Sequence, residues 1–377
     1  MQIKAFIKER IGEELKMDFV IYGADEKGKE ARLRLRILHG TDVIGYLDTM
    51  KKGDFDGFPI LSLDDLSRDC VVIISVYSPR NAVAIYKLLR LHGFHTIYWF
   101  INTLGTPRNR VGFLQDECIN LANWGDSILP HLEIHISDKC NLNCRGCTHF
   151  SPLYIENGDD FEAQMNGLKK LKKLFSCVGR IDILGGEPLL NNNIKRYLIG
   201  IKKIFPQSYI QVFSNGLLIP STDRSVFEVM ERENISISIS EYYPTHKMIE
   251  KISQTLDLNH VRYKIMGFDH KQKFNMPISI KNDSKYPHLC ISNGCVTIKN
   301  DMIARCPTLM YINKLNSTFD VCLPEEGIYN IDTFKNGEQM LEKMEEEIPL
   351  CKHCIQYEIN WEICGTERKL DDFAVVE

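Results

Sequence analysis

Three cysteines, Cys140, Cys144 and Cys147, stand in CxxxCxxC spacing within ISDKCNLNCRGCTHFSPL, residues 136–153. Thiolates this close on one loop can each hold one iron of a four-iron cluster and leave the fourth iron without a protein ligand. That open position lets a small molecule bind the metal directly. Zinc usually takes a fourth Cys or His, which His149 could supply, so a zinc knuckle is the other reading of the spacing.

About 40 residues further on, the apolar run RIDIL ends in Gly185, Gly186, Glu187 and Pro188. Glycines at a strand end allow close backbone approach to a ligand, and Glu187 offers a carboxylate to an ammonium group. GGEP by itself could be an ordinary tight turn; following the cysteine loop at this distance, it reads as a ligand site. Ser214, Asn215 and Gly216 end the next apolar run, and Ser238 and Ser240 close the one after. Asn215-Gly216 reads equally well as a plain turn.

A second group of cysteines follows. CVTIKNDMIARC reads as two short strands around a turn at Asn300-Asp301 and ends at Cys306, with Cys290 and Cys295 before the hairpin. CKHC adds Cys351 and Cys354 some 45 residues later. Cys306, Cys351 and Cys354 with either Cys290 or Cys295 complete a four-thiolate site of the kind a second cluster or zinc requires. Cys70, Cys118, Cys177 and Cys322 are expected to be ordinary buried thiols.

The elements that must position these groups follow from periodicity. Residues 1–125 alternate short apolar strands (DFVIYGA, DVIGYLD, FPILSLDDL, CVVIISV, HTIYWFI) with helix-period stretches (GKEARLRLRILHG, NAVAIYKLLRLHG), which predicts a small parallel α/β sheet. A second series, HLEIHI, IDILGG, YIQVFSNG, ISISIS and VRYKIM, alternates with helices. In one of these Phe161, Met165, Leu168, Leu171 and Phe175 share a face opposite lysines. Five or six such units over residues 126–285 predict a partial (β/α)6 TIM-type barrel. Residues 286–377 form a small cysteine-rich extension that metal could staple.

CNLNCRGC followed by GGEP resembles the radical S-adenosylmethionine (SAM) superfamily over residues 128–285. The resemblance implies a 4Fe-4S cluster on Cys140, Cys144 and Cys147 that chelates SAM and cleaves it reductively to a 5'-deoxyadenosyl radical. It also implies that Gly185, Gly186, Glu187 and Pro188 bind the SAM amino group, with Ser214, Asn215 and Ser240 against its ribose and carboxylate. The GxIxGxxE motif of some relatives is absent around YKIMGFD. The C-terminal cysteines resemble SPASM and twitch extensions, which implies one auxiliary 4Fe-4S cluster, since Asn360 falls where a fifth SPASM cysteine would stand. Cys364, at the sixth position, is a rival fourth ligand.

VIYGADEKGKE places Gly23 and Gly28 on a strand-to-helix turn, with Asp48 closing the second strand. Such a turn can hold phosphate and reach ribose hydroxyls, or be purely structural. Residues 15–105 resemble a Rossmann-like domain found beside enzymes of polysaccharide assembly, which implies a carbohydrate-type substrate.

The formal net charge of -4 over 377 residues, with basic residues dispersed, argues against nucleic acid and membrane partners. The first 19 residues have no signal-peptide core, and no run approaches the roughly 18 apolar residues of a membrane helix. A cytoplasmic, reduced setting is expected. The expected partners are a small-molecule or sugar-type substrate and a reductant protein such as flavodoxin or ferredoxin. Three functions fit: a radical SAM oxidoreductase or epimerase acting on a sugar, nucleotide sugar or aminocyclitol, a SPASM-type peptide-modifying maturase, and a non-catalytic zinc or nucleotide-binding scaffold.

Overall fold

Short runs of consecutive apolar residues build the first sheet. In a computed structural model describing residues 17–76, 79–101, 106–108, 113–122, 124–125, 127–156, 158, 160–281 and 295–376, these runs are strands. They are β1 (Phe19–Tyr22), β2 (Gly45–Leu47), β3 (Gly53–Phe55), β4 (Phe58–Ile60), β5 (Val71–Ile74), β6 (Ile97–Phe100) and, after β7 (Thr106–Arg108) of the second sheet, β8 (Cys118–Asn120). Their order is β3-β4-β2-β1-β5-β6-β8. β1 and β5 are buried at every residue, as central parallel strands covered on both faces must be.

Helices α1 (Glu26–His39) and α2 (Pro79–Leu91) lie between parallel strands, as the periodicity predicts. The edge strands β3 and β8 are antiparallel, which the sequence reading did not foresee. The turn between β3 and β4 is Asp56-Gly57 with both φ positive (51° and 78°), the backbone that tight hairpins favour.

The second sheet has five parallel strands in chain order: β9 (Ile128–Ser137), β10 (Cys177–Gly185), β11 (Tyr209–Ser214), β12 (Ser236–Ser240) and β13 (Tyr263–Met266). Between them run α3 (Phe161–Leu174), α4 (Ile194–Ile204), α5 (Arg224–Arg232) and α6 (Ile249–Leu258). After β14 (Lys273–Ile278), strand β15 (Val296–Lys299) pairs parallel with β9, and β16 (Met302–Ala304) and β17 (Ile328–Asn330) continue antiparallel. The turn between β15 and β16 falls at Asn300-Asp301, as expected. With β7 at the far edge the sheet counts nine strands among the described residues. β14 instead pairs antiparallel with β18 (Cys354–Asn360), and α7 (Pro307–Phe319) follows β16.

The period of two along these strands separates two faces. Leu132, Ile134, Ile181, Ile183, Val212 and Ile237 pack in one apolar core with Met165, Leu168 and Leu171 of α3 and Leu198 and Ile201 of α4. On the other face lie His131, Glu133, His135, Asp182, Gln211, Ser238 and Thr297, all buried. Register sets Glu133 beside both Asp182 and Thr297, and Asp182 beside Gln211. The chain divides into two compact units, the first carrying the first sheet and the second carrying the nine-stranded sheet and everything after Trp124. No helix among the described residues is long and apolar enough to cross a membrane.

Candidate active site

The cysteine loop leaves the end of β9 and is tied at once to the end of β10. Gly186 N donates to Ser137 O (2.6 Å) and Glu187 N to Lys139 O (2.9 Å). A Cβ at Gly185, whose φ is +150°, would lie 2.1 Å from Ser137 O, and one at Gly186 2.2 Å from Lys139 O. No side chain fits either place, so the two glycines let the cysteine loop and the strand end meet.

Cys140, Cys144 and Cys147 line a cavity of about 250 Å³ together with Gly185, Gly186, Ser214, Asn215 and Ser240. Groups from three strand ends and one loop are thus gathered around one space. Glu187 and Pro188 stand outside this lining. Pro188 opens a short 3-10 turn, and the Glu187 carboxylate accepts from Leu189 N (3.1 Å), Ser214 Oγ (2.8 Å) and Asn215 N (2.9 Å). Glu187 is fully buried, and burial pushes its carboxyl up to about 7 against those three hydrogen bonds. It fixes β11 to β10 and so holds Asn215, whose Nδ2 donates to Asn141 Oδ1 (2.7 Å) in the cysteine loop.

Burial pushes all three thiols up, Cys140 to about 12. As free thiols they keep their protons at neutral pH, and only a bound cation would turn them into thiolates. Three thiols, Cys144 buried and Cys140 and Cys147 half-buried, around a cavity with no competing carboxylate in its lining fit three irons of a four-iron cluster, with room beside them for a small molecule.

One functional residue escaped the sequence reading. Trp361 Nε1 donates to Cys144 Sγ (3.1 Å), and its ring stacks on Tyr242 (centroids 5.4 Å apart), which also lines the cavity. Backbone bonds from Arg145 N to Glu362 O (2.9 Å), Cys364 N to Asn143 O (2.9 Å) and Gly146 N to Asp372 O (2.7 Å) bind the C-terminal stretch to the cysteine loop. A partner more than 200 residues away carries no local signal.

The second cysteine group is only partly described. Cys306 caps α7, and Cys306 and Cys351 both pack against an apolar cluster containing Ile278, the β-partner of Cys354. Cys295 belongs elsewhere by its contacts, precedes β15 and feels the Glu133 carboxylate, while Cys290 lies outside the described residues. Of the four thiols expected to be ordinary and buried, Cys70, Cys118 and Cys177 are buried, but Cys322 is exposed. It lies just beyond the end of α7, in a polar connection that reaches solvent.

At the N-terminal turn, a Cβ on Gly28 would meet Gly23 O at 1.9 Å. Asp48 accepts from Ala24 N (3.0 Å), Met50 N (2.8 Å) and Lys51 N (2.9 Å). Burial works to raise its carboxyl, but these three donors hold it below the usual value.

Residues 133–255 match the family model described as a 4Fe-4S single cluster domain, and the match contains the whole CxxxCxxC loop and the GGEP strand end. This loop and strand end are the parts of the chain that resemble the radical SAM superfamily. Superfamily cofactors are a 4Fe-4S cluster and SAM, and the thiols and cavity lining described above suit both. Among curated relatives, the GTP 3',8-cyclase of Clostridium acetobutylicum is 28% identical over 143 residues, covering 35% of this chain and 44% of that one. The GTP 3',8-cyclase of Alkaliphilus oremlandii is 30% identical over 119 residues, covering 29% and 35%. The chain thus spans less than half the length of these relatives. Among solved structures, BtrN in complex with AdoMet and 2-DOIA aligns over 59% of this chain and 92% of that one, with 16% identity and a TM-score of 0.39. anSMEcpe with bound AdoMet and Cp18Cys peptide aligns over 37% and 42%, with 18% identity and a TM-score of 0.28.

Proposed function

We propose that this protein cleaves SAM reductively and uses the resulting radical to abstract hydrogen from a substrate carbon, oxidising or epimerising a sugar, nucleotide sugar or aminocyclitol. The observation that carries the proposal is the cavity itself: the three loop thiols and five of the residues expected to contact SAM line one space. When bound, the cluster supplies the electron that splits the sulfonium cofactor and yields a 5'-deoxyadenosyl radical. The chain's own groups do the rest. Asn215, fixed by Glu187 and by Asn141, and Ser240 offer polar contacts to the cofactor, and the backbone of Gly185 and Gly186 gives it close approach. Phe213, Tyr242 and Phe274 wall the cavity with apolar surface that excludes water from a radical.

In this proposal the nine-stranded sheet is a partial (β/α)6 barrel with the cavity at the C-terminal ends of its parallel strands. Cys306, Cys351 and Cys354, with a fourth thiol, would hold one auxiliary 4Fe-4S cluster, which would supply an electron acceptor for the substrate, and a flavodoxin- or ferredoxin-type protein would supply reducing electrons. The sugar-type substrate is favoured by the N-terminal α/β sheet.

The test is anaerobic reconstitution with iron and sulfide. About eight irons per chain, and 5'-deoxyadenosine on adding dithionite and SAM, are expected. Four irons would remove the auxiliary cluster, and bound zinc with inert SAM would leave a scaffold. Turnover of a peptide in place of a sugar would make the protein a maturase.

A further inference from the structure

Glu133 and His135 lie two residues apart on β9 and so share the polar face of the sheet. His149 reaches the same place from the cysteine loop. One ligand atom from each of Glu133, His135 and His149 lies within 4.8 Å of the others. Nε2 of His135 and Nε2 of His149 are both buried and have no hydrogen-bond partner among the described residues. His135 itself is 6% exposed.

Two imidazole nitrogens left without partners beside a buried carboxylate are costly unless something binds them. The surroundings hold them in place. His135 is stacked on Tyr311 (centroids 4.5 Å apart, planes at 17°) and meets the edge of His149 at 4.4 Å. Thr297 Oγ1 donates to one oxygen of Glu133 (3.1 Å). Such outer contacts orient metal ligands in known sites.

A neighbouring triad, His131, Glu133 and Cys295, is also compact, but His131 Nε2 is already bonded to Asp182 (2.9 Å). The open nitrogens point to the other triad. We propose that Glu133, His135 and His149 form a binding site for a divalent transition metal ion, separate from the thiolate sites. Two imidazoles and one carboxylate are a donor set zinc uses, with a fourth position left for an exogenous ligand. His149 also lines the 250 Å³ cavity, which gives an ion a way in.

The experiment uses the full chain with its iron–sulfur clusters assembled anaerobically. It is incubated with Zn²⁺ and desalted, and zinc and iron are counted by mass spectrometry, followed by absorption fine structure at the zinc edge. The expected result is one zinc per chain with a nitrogen and oxygen shell at about 2.0–2.1 Å and no sulfur at about 2.3 Å. H135Q and H149Q should each lower retained zinc at least tenfold with iron unchanged. Failure to retain zinc, a sulfur shell showing zinc in place of iron on cysteines, or full retention in both variants would overturn the proposal. The edge spectrum of the unaltered chain decides the matter even if a variant misfolds. Deoxyadenosine formation in a zinc-free sample would overturn nothing in the SAM reading, so the two stand or fall apart.

Discussion

Two strand ends in this molecule carry glycines and an acid, and they do different things. At the first, Gly28 packs on Gly23 O and Asp48 spends its carboxylate on three N–H groups of neighbouring turns. At the second, Gly185 and Gly186 pack on the backbone of a cysteine loop, and Glu187 joins two strands beneath a cavity. In both, steric necessity explains the glycines. The difference lies in what the strand end opposes, a closed turn in one and a loop of three cysteines in the other.

The sharpest way to break this contrast is to remove the thiols. Replacing Cys140, Cys144 and Cys147 together by alanine should abolish deoxyadenosine formation, by roughly a thousandfold or more, and lower iron by about four per chain. Turnover that survives would end the comparison.

The glycines come next. G186A and G28A should each cost about 1–3 kcal/mol or more, because backbone must shift. G186A should also lose cluster iron, whereas G28A should keep it, as read by denaturant melts and iron content. Equal iron loss in both would show that the two ends are not distinct.

Glu187 gives a pH signature of roughly 3 kcal/mol. Its folded carboxyl titrates near 7, above the ordinary 4.5, because of burial. Between those values the native state holds a proton the unfolded chain has released. The contribution is therefore complete below about 4.5 and lost as pH rises through 7. E187Q should flatten this fall in stability between pH 5 and 8. Asp48, held low by its donors, should produce no such slope, so D48N is the control.

A smaller effect tests the C-terminal clamp. W361F removes the N–H donor to Cys144 Sγ, a change of about 1 kcal/mol that lowers the cluster's reduction potential by roughly 40 mV at constant iron. An unchanged potential would reduce Trp361 to a packing residue. C322S, at an exposed thiol, should alter stability by less than about 0.5 kcal/mol and leave iron untouched.

Much of the candidate site was legible because its residues are close in sequence. Cys140, Cys144 and Cys147 occupy one loop, and GGEP stands at one strand end, so spacing alone names them. The hairpin at Asn300-Asp301 and the parallel strands were readable from turn chemistry and apolar runs. Asp56-Gly57, immediately before FPILSLDDL, carries an equally plain turn signal. The alternation of His131, Glu133 and His135 along β9 was present in HLEIHI, yet its meaning depends on which face meets Asp182 and Thr297.

The spacing of the loop thiols and the order of strands and helices could be read from the chain alone, since both rest on local spacing and periodicity. Tertiary structure alone decided that Glu187 binds protein N–H and hydroxyl groups, that Trp361 reaches Cys144, that Cys322 is exposed and that His135 meets His149. Those outcomes depend on strand register and on contacts between distant segments, which exist only once the apolar face of the sheet has packed on its helices.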